Sequence, residues 1–161
     1  VASVALALAL VVLPHRAAAA QKAAVFPVDL LDTSGEGTNP AQQARIALAT
    51  DELRRLVAAS AAYDLVDTAP LAGPIADQRP SHGCNGCERD LGRSLGADTV
   101  FTAQVHKVST LILSVQIQAV RVADGAKVAV GIADIRGDND AAWLHGIRWL
   151  ARHRLGLTEA G

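Results

Sequence analysis

The stretch from Asp98 to Ile135 constrains the fold more than any other part of this chain. "DTVFTAQVHKV" alternates, with Phe101, Ala103 and Val105 on one side and Thr102, Gln104 and His106 on the other. "LILSVQIQAVRV" repeats the pattern, setting Leu111, Leu113, Val115 and Ile117 against Ser114, Gln116 and Gln118. Asp124-Gly125 is a hairpin signal leading into "KVAVGIADI". A period of two sends successive side chains to opposite faces of a strand. Three successive antiparallel strands with one polar face therefore imply a sheet covered by helices mainly on one side.

The helices that would cover it are also readable. Asn39 followed by Pro40 is a helix-start signal, a capping side chain before a proline in the first turn. From there Ile46, Ala49, Leu53, Leu56 and Val57 recur at helical spacing to about Ser60, with Arg45, Glu52 and Arg55 off that stripe. The acids Asp138 to Asp140 start a last helix, where they are expected to cap it and complement its dipole. Its core stripe is Trp143, Leu144, Ile147 and Leu150. Ahead of the sheet region, "AAVFPVDLLD" (23–32) reads as a first strand and "YDLVD" (63–67) as a second. "TAPLAGPIADQRPSHG" is a loop by its prolines and glycines, and "CERDLGRSL" a short helix stopped by Gly96. The order is β-α-β-α-β-β-β-α, an α/β two-layer sandwich on a mixed sheet.

Residues 1–13, "VASVALALALVVL", form an uncharged apolar run. It is shorter than the roughly 20 residues a bilayer span needs. With the small-residue run Ala17 to Ala20 behind it, it has the pattern of a cleaved signal peptide. Residues 1–20 are therefore expected to be removed, leaving 21–161 as one exported α/β domain without a transmembrane segment. A formal charge of −1 gives no support for nucleic acid as a partner.

The sharpest chemical motif is "SHGCNGCERD", which holds both cysteines of the chain, Cys84 and Cys87. Covalent haem needs histidine directly after the second cysteine, and Glu88 stands there. A thioredoxin-like pair follows the first strand of a βαβ unit, whereas this one follows a proline-rich loop. In an oxidising compartment the favoured reading is a local disulfide that fixes the loop-to-helix junction. The alternative is a redox pair or a site for a thiophilic metal, with His82 as a third ligand. "SGEGTNP" lacks the Lys-Ser/Thr of a phosphate loop, "DIRGDND" lacks the spacing of a calcium loop, and Ser81 beside His82 has no nucleophile-elbow context. His106 reads as a solvated histidine on the polar sheet face. No catalytic residues and no cofactor are expected.

One feature exceeds what folding asks for. On the last helix His145, Trp149 and His153 stand four residues apart and form one stripe, flanked by Arg148 and Arg152. At ~100° per residue, Trp149 lies about 120° to 160° from the core side of that helix. An outward tryptophan with arginines is the composition of a binding hot spot. His145, Trp149, Arg152 and His153 are therefore the candidate surface for a protein partner in the cell envelope; the other reading is a Trp149 lying on the domain's own loops. The export signal places the protein in the periplasm.

Taken together, "AVFPVDLLDTSGEG", "LGADTVFTAQVHKVSTLILSV" and "DIRGDNDAAWLHGIRWLARHRL" resemble a family of secreted bacterial proteins of unknown function, domain of unknown function 2380 or the related 3280. The layout is also similar to the amino-terminal domain of the Tol–Pal translocation protein and to the periplasmic domain of curli-type secretion lipoproteins. That resemblance implies a non-enzymatic module of an envelope assembly and supplies no catalytic residues.

Overall fold

In the computed structural model, which describes residues 19–37, 39–80 and 85–158, the first apolar run makes two strands rather than one. These are β1 (Gln21–Val25) and β2 (Asp29–Asp32). Pro27 divides them because it has no N–H to give a neighbouring strand. The next amide, Val28, turns away to the Thr50 hydroxyl at 2.9 Å. Helix α1 (Pro40–Ala59) starts where expected: the Asn39 side chain accepts from the Gln42 amide, and the Gln42 side chain accepts from the Asn39 amide. After β3 (Tyr63–Leu65), the segment expected as loop holds a single 3-10 turn (Ala69–Leu71) and a short helix, α2 (Ala72–Asp77). Helix α3 (Cys87–Ser94) precedes the three long strands β4 (Thr99–Lys107), β5 (Ile112–Arg121) and β6 (Lys127–Arg136). Helix α4 (Asp140–His153) closes the order.

The strands form one mixed sheet in the order β3-β1-β4-β5-β6, with β2 also paired to β4. Both β1 and β2 run parallel to β4, placing Val25 opposite Phe101 and Leu30 opposite Val105. The β4–β5–β6 ladder is antiparallel. Alternation does what the sequence implies. Phe101, Ala103, Val105, Leu113, Val115 and Ile117 share a core with the two long helices, where Leu53, Val57, Trp143, Ile147 and Leu150 are fully buried. Leu111 departs from the pattern and is 70% exposed, because it lies in the turn before β5. On the other face, α2 and α3 cover the β1 end through Phe26, Ile75, Leu91, Val100 and Val122. The rest of that face carries Ser114, Gln116 and Gln118, each half-buried.

Helix α4 lies unusually close to β5 and β6. A methyl group on Gly146 would come within 2.7 Å of the Ile135 side chain, and one on Gly131 within 2.8 Å of Leu150. Side chains larger than hydrogen would push the helix off the sheet.

The other end of the packing is ionic. Lys107, at the end of β4, has a side chain only 1% exposed. Its Nζ lies 2.7 Å from Glu36, 3.5 Å from Asp138 and 3.7 Å from Asp32. Asp138 does not cap α4; Asn139 does, accepting from the Ala142 amide at 2.9 Å. Asp138 instead accepts from Gln42 Nε2 and from Trp143 Nε1, each at 3.1 Å, and pairs with Arg45. Arg45 also reaches Asp140 at 2.9 Å and lies over the Trp143 ring. The cluster thus ties the β2 end, the 32–36 turn, α1 and the start of α4 to one ammonium group. Hydrogen bonds from Ser34, with help from Lys107, hold Asp32 below the usual carboxylate range, and the bond to Glu36 raises Lys107. His106, expected in solvent, has its Nε2 2.9 Å from the Thr33 hydroxyl.

A second ionic bridge joins the two long helices. Glu52, expected on the outer side of α1, is 9% exposed and meets Arg55 at 3.0 Å and Arg148 of α4 at 2.6 Å. The hydrogen bond from Arg55, and next that from Arg148, outweigh burial and lower its pKa from 4.5 to about 2.

Two measurements test these clamps. Replacing Lys107 by Met leaves carboxylates together without their cation, and should cost about 3 kcal/mol in urea unfolding at neutral pH. Because Asp32 is depressed in the folded state, the contribution it draws from Lys107 is present above its ordinary pKa and lost as pH falls. The gap between wild type and Lys107→Met should therefore narrow below about pH 4. The same sign applies to Glu52: its stabilisation is complete above 4.5 and disappears as pH falls toward about 2. Wild type should lose more stability over that interval than Glu52→Gln, and parallel acid limbs would show that the bridge contributes nothing.

Candidate functional site

Helix α4 is held rigidly on three sides. Asn139 caps it, Trp143, Ile147, Leu150 and Ala151 bury one face, and Glu52 grips Arg148. Leu144, expected in the core stripe, is half-buried at its edge. What remains outward is the candidate stripe. His145, Arg152 and His153 are exposed, and Trp149 is 39% exposed. Trp149 and His153 lie together, ring centroids 5.0 Å apart and planes inclined at 41°. Of the two flanking arginines, Arg148 is committed to the α1 bridge, whereas Arg152 has no ion pair among the described residues.

Trp149 does not stand alone over the helix. With His145 and Gly146 it forms one wall of a groove of about 360 Å³ whose other wall is Ile132, Ala133, Asp134 and Ile135 of β6. Sequence reasoning placed the surface on α4 and missed its β6 half. A signal was present: "KVAVGIADI" is apolar at nearly every position, whereas its neighbour β5 alternates cleanly. Among the described residues β6 pairs with β5 alone and forms the sheet edge. Its residues Val128, Val130 and Ile132 are 42%, 43% and 57% exposed. Unpaired strand edges offer backbone donors and acceptors to another chain.

The cysteine region occupies a different part of the molecule. Cys87 is the first residue of α3, after Gly86 in a left-handed conformation at φ 92°, and it is not a free cysteine. Ser81, His82 and Cys84 lie outside the described residues, and the expected pairing of Cys84 with Cys87, like the third ligand His82, lies there with them. Beside this junction, on the open sheet face, is a polar groove of about 330 Å³ lined in part by Glu88, Thr102, Gln116, Gln118 and Lys127. Gln118 donates to the Thr102 hydroxyl at 3.1 Å, and its carbonyl oxygen has no hydrogen-bond partner among the described residues. The groove is separate from the α4–β6 surface.

No curated protein matches the chain in sequence. Among solved structures it is similar to the LpoB C-terminal domain from Salmonella enterica, with a TM-score of 0.54 and 19% identity, covering 75% of this chain and 86% of that one. It is similar also to PelC from Paraburkholderia phytofirmans, a dodecamer, with a TM-score of 0.51 and 16% identity over 90% of this chain and 92% of that one. TolB from Acinetobacter baumannii is matched at a TM-score of 0.48 and 12% identity, over 83% of this chain and 28% of TolB. At these identities the first two likenesses show a shared fold and no more. The sequence itself matches DUF3280, "Protein of unknown function (DUF2380)", across residues 21–155. With most of its length inside that match, the chain belongs to this family of proteins of unknown function.

Proposed function

We propose that this protein is an exported, non-enzymatic domain that binds a protein partner in the bacterial cell envelope through the outer stripe of α4, His145, Trp149, Arg152 and His153. The observation that carries the reading is the exposure of Trp149 on a helix whose opposite face buries Trp143, Ile147 and Leu150 completely. A tryptophan left at the surface of a rigid element, flanked by basic residues, is the composition of an interface anchor. Rigidity matters here, since an anchor held in place loses little freedom on binding. PelC, of the same fold, is a dodecamer, which agrees with a scaffold used for assembly. No helix of the described residues is long and apolar enough to cross a membrane.

The test compares the two tryptophans. Trp149→Ala should leave the melting temperature nearly unchanged and abolish capture of the partner from periplasmic extract, read by mass spectrometry against wild type. Trp143→Ala, which empties a fully buried site, should destabilise by roughly 3–5 kcal/mol. If Trp149→Ala unfolds the protein as badly, Trp149 belongs to the core and the reading fails.

The compartment is part of the same proposal. Residues 1–20 serve as the export signal, and Cys84 is joined to Cys87 in the mature protein, an arrangement supported by Cys87 not being free. One intact-mass measurement on protein recovered from its cells, with and without an alkylating agent, checks both. The mass should correspond to cleavage near Ala18–Gln21, and the protein should take up no alkyl groups until reduced. Two alkylated thiols before reduction, or one metal ion per chain, would favour the redox or thiophilic-metal alternative using Cys84, Cys87 and His82.

A further inference from the structure

We infer that the partner reaches this domain as an extended, acid-ended segment that adds to the free edge of β6 and lies alongside Trp149. The inference rests on the partner-binding reading of α4 and specifies the form of the partner. Its backbone term is the unpaired edge of β6, a strand of 10 residues. An added strand hydrogen-bonds to such an edge and sends its side chains alternately to the two faces of the sheet. On one face they would lie beside Val130 and Ile132. On the other they would enter the groove under Trp149 and His145. Val130 and Ile132 are exposed on the first face, and on the second the exposed group is the Trp149 ring beside the half-buried Ala133, so a segment of alternating β-branched residues would bury surface on both of its sides.

Charge selects the occupant. Lys127 and Arg136 stand at the two ends of β6. Arg154 packs its side chain against Gly131 at the middle of the strand. None of these cations has an ion pair among the described residues. Asp134 is the one acid on the strand. A second copy of this chain is therefore a poor occupant. Pairing β6 with its own copy about a two-fold axis would set the Lys127 end of each strand against the Arg136 end of the other and bring both Arg154 residues to the centre. Like charges directly opposite destabilise a strand pair. The same cations attract a segment carrying carboxylates at its ends, so the edge rejects itself and accepts an acidic strand.

The experiment uses the full mature protein and a blocked peptide of alternating valine and threonine with two glutamates at each end. Calorimetric titration should show binding about tenfold tighter than for the same peptide with lysines in place of glutamates, and the difference should shrink as salt is raised. A glutamate peptide N-methylated at its central amides should bind at least about tenfold more weakly, because it cannot hydrogen-bond to the edge. Amide hydrogen exchange should slow along β6 on binding. The double variant Lys127→Glu with Arg136→Glu, its melting temperature checked first, should reverse the preference and favour the lysine peptide. Equal binding of the two charged peptides would overturn the inference. So would indifference to N-methylation, protection away from β6, or self-association through β6. If the glutamate peptide does not bind while Trp149→Ala still abolishes partner capture, strand addition falls and the α4 stripe stands.

Discussion

A buried ammonium group organises this molecule. Lys107 ends the central strand, and the carboxylates that neutralise it come from the β2 end, the turn after it and the start of α4. A desolvated charge is tolerated only where its partners are held in position, so each of these segments is placed by a shared requirement rather than by its own propensity. Asp138 carries the requirement onward. It links the ammonium to Arg45, Gln42 and the indole N–H of Trp143, and so connects the ionic end of the packing to the apolar one.

The position of the candidate surface follows from that arrangement. Helix α4 is located at its start by Asp138 and Asn139, midway by the close approach at Gly146, and laterally by Glu52 on Arg148. Trp149 has no part in any of these contacts, yet its orientation is determined by them all. An interface residue held by a frame it does not belong to can change without disturbing the frame. That separation allows binding to vary within a family while the fold persists.

The elements and the core were largely readable from the sequence because they rest on local periodicity. Alternation located β4 and β5, the Asp124-Gly125 turn announced β6, Asn39-Pro40 began α1, and the helical spacing of Trp143, Ile147 and Leu150 distinguished the inner from the outer face of α4. What escaped were interactions between residues distant in sequence. Lys107 closes an alternating run in the manner of an ordinary strand-end lysine, and nothing near it announces Asp32, Glu36 and Asp138. Glu52 and Arg45 fall off the apolar stripe of α1, and helical spacing does not show that each is enclosed by an opposite charge on another segment. The division of the first strand depended on Pro27, whose missing donor matters only once the neighbour is known to be β4. The β6 half of the groove escaped because edge position is a property of the sheet, not of the strand.

The strand order has a consequence for how the chain must assemble. β4 lies at the centre, with β1 and β2 paired on one side and β5 on the other, yet it comes after both parallel partners in sequence. A chain delivered amino terminus first presents β2 without any strand to pair with until residues 99–107 have followed. Lys107, the counter-charge for Asp32 and Glu36, arrives with that same strand. The amino-terminal half can pair β1 with β3, but β2 and the acids at its end wait on one late segment. Such dependence on long-range pairing delays completion of the sheet until its central strand is present, and contacts between distant segments close more slowly than local ones.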